Sequence, residues 1–292
     1  MAVVIAPRLT NDLYHYTGTD AAIYNILDQG VLRLSPYEFT NDPQESRPRL
    51  PTLSGSPRTS EGDEAGVIWN QADMWLRRYV KVACFTQDFE LVPPNYALDE
   101  DALRGWAHPA LWAHYGARQG GVCLRFDREK LVEQFHAQMC SRGQCFHGAV
   151  EYPAQRFPAP PGGLDVDQVR EFGTDAVVSF YIERHHRELF FTKHHDWANE
   201  HEFRLILNEP SLLPAYLNIE GCLTGVVLGD TFPASMLDTV HRLLGRIPEV
   251  ELIQLHYHNG KMFRSAVVPM AQGQGINARR TGAFMDRLQE LR

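Results

Sequence analysis

The chain has 292 residues, of which 44% are hydrophobic and 22% are charged. This is the composition of an ordinary soluble globular protein, so a core can form without disulfides or metals to staple it. The formal net charge of −8 argues against a protein that binds nucleic acid indiscriminately, because such a protein needs a basic surface. A local basic cleft remains compatible with this charge.

The cysteines do not form a recognisable framework. There are five, an odd number, and none belongs to a Cys-x-x-Cys pair. We therefore expect no disulfide framework and a reducing, cytoplasmic location. Cys140, Cys145 and His147 are zinc-ligand types close together in sequence. No fourth ligand follows at a familiar spacing, so no metal site is predicted there.

The N-terminal segment lacks the basic start and the long apolar run of a signal peptide. No apolar stretch approaches the length needed to cross a bilayer, so we expect no membrane association. An effector exported without a cleaved signal would have the same sequence features.

Apolar periodicity and capping residues predict the elements in the first half of the chain. Strands are predicted at residues 13–17, 31–35, 80–86 and 122–126. Helices are predicted at residues 21–29, 67–79, 100–118 and 128–139. Asp20 and Asp127 are the expected N-caps of two helices, and Pro109 is expected to break a third. A polar loop follows Pro36, and the Pro-, Gly- and Ser-rich residues 51–66 are expected to form a mobile loop.

The same signals predict the elements of the second half. Strands are predicted at residues 147–152, 203–207, 225–228, 250–257 and 262–268. Helices are predicted at residues 165–195, 234–245 and 282–291, the first of them weakened at Gly173. Residues 153–164 are expected to be a Pro/Gly loop.

Strands and helices are interspersed without a strict βαβ rhythm. Neither a Gly-x-Gly-x-x-Gly turn nor a Gly-rich phosphate loop is present, and we find no repeats and no linker. We predict an α+β fold of split, mostly antiparallel sheets with flanking helices. The chain is expected to form one domain over residues 1–292, with its core at about residues 13–268.

The first candidate cluster is the strand Leu13-Tyr14-His15-Tyr16-Thr17. His15 faces opposite to Tyr14 and Tyr16 if the strand is regular. It is either a histidine that donates a hydrogen bond to a ligand hydroxyl or a core histidine bonded to a backbone carbonyl.

The second cluster is the loop at residues 41–45, Asn-Asp-Pro-Gln-Glu. Pro43 stiffens this loop, and Asn and Asp side chains form turns of their own. The loop is either a self-stabilised turn or the lining of a pocket whose carboxylates hold a ligand or a metal.

The third cluster lies at residues 111–127, where an aromatic helix enters a Gly-Gly turn and a strand. Trp112 is expected in the core. Tyr115, and after it His114, are the candidates to stack on a planar ligand ring at the helix end.

The fourth cluster is Glu200-His201-Glu202-Phe203-Arg204, preceded by Lys193 and Trp197. On a strand, Glu200, Glu202 and Arg204 share one face while the other face is apolar. The cluster is either a solvated face with a Glu–Arg pair or two carboxylates aimed into a cleft. In a cleft, one carboxylate would stabilise an oxocarbenium-like transition state and the other would orient or deprotonate the attacking group.

Taken together, these motifs resemble a bacterial domain family of unknown function. Its signature is Leu-Tyr-His-Tyr, Asn-Asp-Pro-x-Glu, Cys-Phe-Thr, Trp-Ala-His-Tyr-Gly and Lys…Trp-x-x-Glu-x-Glu-Phe-Arg, in this order. The resemblance runs from about residue 13 to residue 230. Each motif alone is weak, and their joint order makes the resemblance specific.

The arrangement is also similar to that of ADP-ribosyltransferases, which implies an ADP-ribosyltransferase-like fold and NAD as substrate. The resemblance implies that Glu202 binds the nicotinamide ribose 2′-hydroxyl, that Glu200 serves the acceptor, and that Tyr115, or less favourably Tyr16, stacks on nicotinamide. His15 would hold the adenosine-side ribose. Further implied NAD contacts are Tyr16, Thr17, Asn41, Asp42, His114 and Arg204.

The implied activity is an NAD-dependent ADP-ribosyltransferase or an NAD glycohydrolase. Its partners would be NAD, an unidentified acceptor (protein, nucleic acid or small molecule) and an inhibitor or antitoxin protein, in a toxin or phage-defence role. Two other functions stay open. One is a metal-dependent nuclease or phosphoesterase that uses Asp42, Glu45, Glu200 and Glu202 with Lys193 nearby. The other is a non-catalytic binding module.

Overall fold

The structure is a computed structural model that describes residues 11–48, 50–55, 62–88, 100–153, 162–247 and 249–267. The strands are β1 Asp12–Thr17, β2 Val31–Pro36, β3 Thr52–Ser54, β4 Val80–Gln87, β5 Val122–Asp127, β6 Gln144–Ala149, β7 Gly163–Asp165, β8 Glu202–Asn208, β9 Ala215–Asn218, β10 Leu223–Leu228, β11 Glu251–His258 and β12 Lys261–Ala266. The α-helices are α1 Pro43–Ser46, α2 Gly62–Met74, α3 Pro109–His114, α4 Arg128–Met139, α5 Val166–Phe172, α6 Thr174–Phe190 and α7 Leu237–Leu244. Short 3₁₀- or π-helical segments occupy Ala21–Leu27, Tyr37–Phe39, Trp75–Tyr79, Glu100–Leu103, Ala117–Gln119, His195–Glu200 and Ala234–Met236.

Within the described residues, ten strands form one large sheet and β3 pairs with β7 separately. One arm of the large sheet runs β12-β11-β10-β5-β1-β4, and β4 continues into β8 and β6 on one side and into β2 and β9 on the other. All its pairings are antiparallel except that of β10 with β11. The expected mixture of helices with a mostly antiparallel sheet is confirmed.

The sheet forks at β4. One edge of β4 pairs with β8 along its length, while its other edge pairs with β1 at Tyr14–Thr86 and with β2 at Ser35–Val82. Between these two contacts β1 and β2 diverge, and His15 lies in the gap. Its Nδ1 is 2.9 Å from the Cys84 carbonyl oxygen, to which it donates. The imidazole therefore supplies a hydrogen bond that a neighbouring strand would otherwise make.

The two faces of the sheet bury different sets of side chains. Phe203, Leu205 and Leu207 of β8 face a cluster that also contains side chains of α4, α7 and residues 21–27. Ile206 faces the opposite cluster, which is covered by α2, α5 and α6. All seven residues of β8 are buried, so the charged Glu202 and Arg204 on the Ile206 face must find partners inside the protein.

Several predicted elements differ from the structure. The strand predicted at 147–152 lies earlier, as β6, and β9 was not predicted. The helix predicted at 165–195 is divided at Gly173, whose φ of +85° favours glycine, and ends at Phe190. The helical region predicted at 100–118 contains only α3 between two short turns.

The capping predictions had mixed outcomes. Asp127 caps α4, with its Oδ1 accepting from the Lys130 amide at 3.1 Å, as predicted. Asp20 makes no capping hydrogen bond, so that prediction was wrong. In the segment expected to be a loop, Asp42 caps α1 with Pro43 in its first turn, because its Oδ1 accepts from the Gln44 amide at 2.8 Å.

Residues 51–66, expected to form a mobile loop, contain β3 and the start of α2, and part of the segment lies outside the described residues. The helix predicted at 282–291 lies entirely outside them. Among the helices that the structure describes, none is both long enough and apolar enough to span a membrane.

The turn between α3 and β5 has an unusual backbone. Ala117, Arg118 and Gln119 all have positive φ, at 47°, 53° and 72°. The left-handed region costs a non-glycine residue about 1–2 kcal/mol. The turn is held by backbone hydrogen bonds, including that from the Gly121 amide to the Gly116 carbonyl at 2.9 Å. The turn fixes the direction of β5 relative to the end of α3, where Tyr115 lies.

Candidate active site

Five ionisable side chains form a buried group on the face of the sheet covered by α6. We call it the carboxylate cluster, and its members, all at most 5% exposed, are Glu45, Lys193, Glu200, Glu202 and Arg204. Four segments bring them together: α1, the residues after α6 that include Lys193, the turn that ends at Glu200, and β8. Charges at such depth persist only if they are paired and hydrogen-bonded.

Arg204 anchors the cluster, because each of its five N–H groups has an acceptor. The guanidinium grips Glu202 with two hydrogen bonds, Nε to Oε1 at 2.8 Å and Nη2 to Oε2 at 2.7 Å. Nη2 also lies 2.6 Å from Glu45 Oε1. Nη1 donates to the Tyr37 hydroxyl at 3.0 Å and to the Phe190 carbonyl at 2.7 Å.

The environment fixes the charge state of this pair. Burial raises the pKa of Glu202, but the Arg204 charge, its hydrogen bonds and Lys193 outweigh burial and lower the pKa to about 2. Burial works against the charge of Arg204, and Glu202 and Glu45 raise its pKa well above the ordinary value. Both groups are therefore charged at neutral pH, and both carboxylate oxygens of Glu202 are occupied.

Glu200 joins the cluster from the segment that precedes β8. It ends the turn His195–Glu200, and β8 begins only at Glu202, so the two glutamates do not share the regular strand that the sequence predicted. His201 between them is left-handed, with φ 47°, and this local geometry lets both carboxylates reach Lys193. Lys193 Nζ lies 2.6 Å from Glu200 Oε2 and 3.4 Å from Glu202 Oε2.

Tyr115 closes the cluster from the end of α3. Its hydroxyl donates to Glu200 Oε1 at 2.5 Å. Burial, then the hydrogen bond and charge of Glu200, raise the pKa of Tyr115, while a hydrogen bond with the Asn41 side chain lowers it in part. The phenol is therefore a neutral donor at physiological pH. The Trp197 ring lies beside this group, with its centroid 4.7 Å from Lys193 Nζ.

Two carboxylate oxygens in the cluster region are buried without a hydrogen bond. They are Asp42 Oδ2 and Glu45 Oε2, on side chains that are 2% and 5% exposed. Lys193 Nζ lies 3.8 Å from Glu45 Oε2. Burial raises the pKa of Glu45, and Arg204 opposes this shift. The cluster thus has three glutamates for two cations, and it keeps acceptor capacity for a ligand hydroxyl or a developing positive charge.

The structure brings together most of the predicted site residues, including Asn41, Asp42, Tyr115 and Arg204, but not His15. In the ladder, Tyr14 pairs with Thr86 and Thr86 with Glu202, so His15 points to the opposite face. Its ring contacts Phe85, at 5.7 Å between centroids. Burial lowers its pKa, against the hydrogen bond to Cys84.

Three other predicted residues lie apart from the carboxylates. The Tyr16 hydroxyl donates to the Gly105 carbonyl at 2.6 Å, and its ring packs edge-on against Trp112. Thr17 pairs with Val122 in the sheet. The exposed His114 ring is 6.0 Å from Tyr115, beside the site but without a hydrogen bond to the cluster.

Two residues of the site were not predicted. Tyr37 contacts Arg204 and also lies 3.4 Å from Glu45 Oε1 through its hydroxyl. The Tyr152 hydroxyl accepts from the Glu202 amide at 2.9 Å. Neither tyrosine belongs to a motif, and only the fold brings them to the cluster.

A metal is not required to explain this geometry. Lys193 and Arg204 are the cations that pair with the three glutamates of the cluster. Within the described ranges, no group of three or more His, Cys, Asp or Glu side chains is arranged to hold a metal ion.

Comparison with known proteins finds a similarity to one domain family and gives no activity. The model of a family described as protein of unknown function (DUF2971) matches residues 111–205. The matched segment runs from α3 to β8 and contains Tyr115, Lys193, Glu200, Glu202 and Arg204. No curated protein and no solved structure matches the chain. Over residues 111–205, a narrower span than the motifs predicted, the chain is therefore similar to a domain family of unknown function.

Proposed function

We propose that this protein cleaves the bond between nicotinamide and ribose in NAD and passes ADP-ribose to an acceptor or to water. The observation that carries the proposal is the position of Glu200. Its carboxylate belongs to an anionic cluster and is oriented by Tyr115 at 2.5 Å and by Lys193 at 2.6 Å. A carboxylate held in place, in a site that excludes water, is suited to stabilise a ribosyl cation.

The chemistry needs few groups. The C–N bond breaks with its electron pair leaving on nicotinamide, and the ribose becomes an oxocarbenium-like cation. The negative cluster stabilises that cation, and water or an acceptor hydroxyl or amine then attacks and loses a proton. Glu200 accepts the proton, and its bond to Tyr115 holds the carboxylate in place. Asp42 Oδ2 and Glu45 Oε2 are buried without a hydrogen-bond partner, and they would accept from ribose hydroxyls once ligand binding opens the cluster.

This proposal divides the work of the two glutamates differently from the sequence motif. The motif gave Glu202 the heavier role, but the fully buried guanidinium of Arg204 holds both of its oxygens in parallel. The two oxygens of Glu200 are instead held one each, by the partly exposed Tyr115 and by Lys193. We therefore assign Glu202 and Arg204 to hold the site together and Glu200 to contact the reacting ribose. Trp197 and Tyr115 provide the aromatic surfaces that a nicotinamide ring would need.

The test is to incubate the purified protein with NAD and follow released nicotinamide. We expect release by the wild type and a loss of about a hundredfold or more in Glu200→Gln, because a carboxylate that acts in proton transfer contributes on that order. Glu220→Gln, at an exposed glutamate, is the matched control and should retain full activity. Wild-type turnover in Glu200→Gln would falsify the assignment of Glu200.

The same reaction separates the alternatives. Products cleaved at the pyrophosphate, abolished by chelator, would establish the metal-dependent phosphoesterase instead. No conversion of NAD, with or without cell extract as a source of acceptor, would leave the binding-module function.

A further inference from the structure

A second group of reactive side chains lies at the end of α4 and on β6. We call it the thiol–imidazole cluster, and it consists of His136, Cys140, Cys145 and His147. Cys140 is exposed and Cys145 is half-buried. His136 and Cys140 are one turn apart at the end of the same helix, and Cys145 and His147 follow on the adjacent strand. The carboxylate cluster does not include any of these side chains.

The imidazoles form a relay that ends at the Cys140 thiol. Cys140 Sγ lies 3.1 Å from His136 Nδ1, and His136 Nε2 lies 2.9 Å from His147 Nδ1. Burial, and then the neighbouring His136, lower the pKa of His147, so this ring is neutral at physiological pH. In the tautomer that carries its proton on Nε2, His147 Nδ1 accepts from His136 Nε2–H. That leaves Nδ1 of His136 free to take the thiol proton, as a base oriented by a third group does.

The second thiol is within reach of the first. Cys145 is hydrogen-bonded to Cys140, and burial together with this contact raises the pKa of Cys145. Cys145 is therefore a protonated neighbour that stays inactive until Cys140 has reacted. The other cysteines are less accessible: Cys123 and Cys222 are buried, and Cys84 is only partly exposed.

The arrangement differs from a zinc site. In such a site, four ligand atoms converge on one point. Here His136 directs one ring nitrogen to Cys140 and the other to His147, so the contacts form a chain. Among the residues that the structure describes, no metal-binding group of three such side chains is found.

We propose that Cys140 is a peroxide-reactive thiol that forms a reversible disulfide with Cys145. His136 takes the Cys140 proton, and the thiolate attacks a hydroperoxide. The O–O bond breaks, an alcohol or water leaves with the proton, and Cys140 becomes a sulfenic acid. Cys145 then attacks Cys140 sulfur, the S–S bond forms, and water leaves. In total, two thiols and one hydroperoxide give one disulfide, one alcohol or water, and one water.

The test treats the folded protein with hydrogen peroxide and maps its thiols by mass spectrometry. We expect a Cys140–Cys145 disulfide that dithiothreitol reverses, with the other three cysteines still reduced. Cys145→Ser should stop at a sulfenic acid that dimedone traps on Cys140, and Cys140→Ser should form neither product. Alkylation of Cys140 by iodoacetamide should slow about tenfold in His136→Gln. The control His241→Gln, at a partly exposed histidine of another helix, should not slow it.

Three results would overturn the proposal. The first is oxidation of Cys84, Cys123 or Cys222 before Cys140. The second is an unchanged alkylation rate in His136→Gln, which would show that the imidazole does not activate the thiol. The third is a tightly bound zinc ion in native mass spectrometry that protects Cys140 from peroxide, because the four side chains would then be metal ligands.

Discussion

Arg204 is the residue on which the candidate site depends. A guanidinium that is 0% exposed and has acceptors for all five N–H groups fixes the positions of Glu202, Glu45 and Tyr37 at once. Removing one partner from such a network costs more than the pair contributes, because a charge is left buried without compensation.

The substitution Glu202→Gln therefore tests whether Glu202 stabilises the site or catalyses the reaction. We expect it to lower the free energy of unfolding by about 3–5 kcal/mol, the usual cost of leaving one member of a buried pair. Urea denaturation monitored by tryptophan fluorescence measures this. Glu200→Gln should cost clearly less, since Glu202 and Glu45 still surround Lys193. Equal stability of the wild type and Glu202→Gln would contradict the anchoring role.

The pH dependence of stability follows from the same pair. The pKa of Glu202 is about 2 in the folded state against 4.5 for the free group, so the folded protein binds this proton less readily than the unfolded chain. Its contribution to stability is complete above about pH 4.5 and is lost as the pH falls towards 2. The stability difference between the wild type and Glu202→Gln should shrink over this window. A difference that is constant down to the lowest accessible pH would show that the charge of Glu202 is not the cause.

Tyr115→Phe tests the donor to Glu200. The variant loses a hydrogen bond to a charged group, which is worth about 1.5–3 kcal/mol, but it keeps the ring. If the bond holds Glu200 for reaction, nicotinamide release should slow about tenfold or more while the fold is retained. Tyr24→Phe, at a tyrosine that is 52% exposed, is the control and should leave the rate unchanged. A Tyr115→Phe rate equal to that of the wild type would assign the hydroxyl to stability alone.

At the scale of the elements, the turn between α3 and β5 determines where Tyr115 lies. Three successive left-handed residues are tolerated there because the glycines around them admit close backbone contacts. A Cβ on Gly121 would lie 2.3 Å from the Thr17 carbonyl oxygen and 2.9 Å from the Gly116 backbone. Both contacts are with backbone atoms, so the turn could accept a Cβ only if the backbone of β1 or of the end of α3 moved.

Gly121→Ala should therefore lower the free energy of unfolding by about 2–3 kcal/mol through overpacking. Gly18→Ala is the matched control, because its Cβ would meet nothing within 4 Å, and we expect a change within about 0.5 kcal/mol. Thermal or urea denaturation of both variants measures the two changes in the free energy of unfolding. A Gly121→Ala protein as stable as Gly18→Ala would mean that the turn can rearrange.

Elements with a strong local pattern could be predicted, and those defined by distant contacts could not. The apolar alternation of Phe203, Leu205 and Leu207 predicted β8, since one face of a strand is continuous at this spacing. Strand β9 is only four residues long, too short for a pattern, and exists because it pairs with β2. The motifs predicted Glu200, Glu202 and Tyr115 as one site, and these three do meet.

The partners of the site were beyond prediction for a physical reason. Tyr37 is 167 positions away from Arg204 along the chain, and no local pattern signals such a contact. Glu202 and Glu200 have the same spacing that a strand would give, yet the left-handed His201 places them differently. The partners that hold each carboxylate, which decide between the two proposed roles, depend on the whole fold.

At the scale of the molecule, the fork of the sheet at β4 determines where His15 lies. The ring fills the gap where β1 and β2 part, on the face away from the carboxylate cluster. A side chain in that position ties β1 to β4 where their backbone pairing stops, which differs from the ribose-binding role that the resemblance implied.

His15→Ala distinguishes the two roles. We expect a loss of about 2–3 kcal/mol in the free energy of unfolding, from the missing hydrogen bond and the cavity beside Phe85. The KM for NAD should change by less than about twofold, well under the tenfold that corresponds to 1.4 kcal/mol of binding. A tenfold rise in KM at unchanged stability would instead return His15 to the ligand.

Strand β8 is paired along both edges, with β4 on one side and β6 on the other, and buried on both faces. Its amide hydrogens therefore reach deuterated solvent only when the molecule unfolds globally, and they should be among the last to exchange. The carboxylate cluster thus rests on a slow-exchanging part of the protein, so a ligand meets a preformed surface and little ordering entropy is lost on binding. In the proposed reaction, adaptation to different acceptors would then fall to Asn41 and the other exposed loop residues around the cluster.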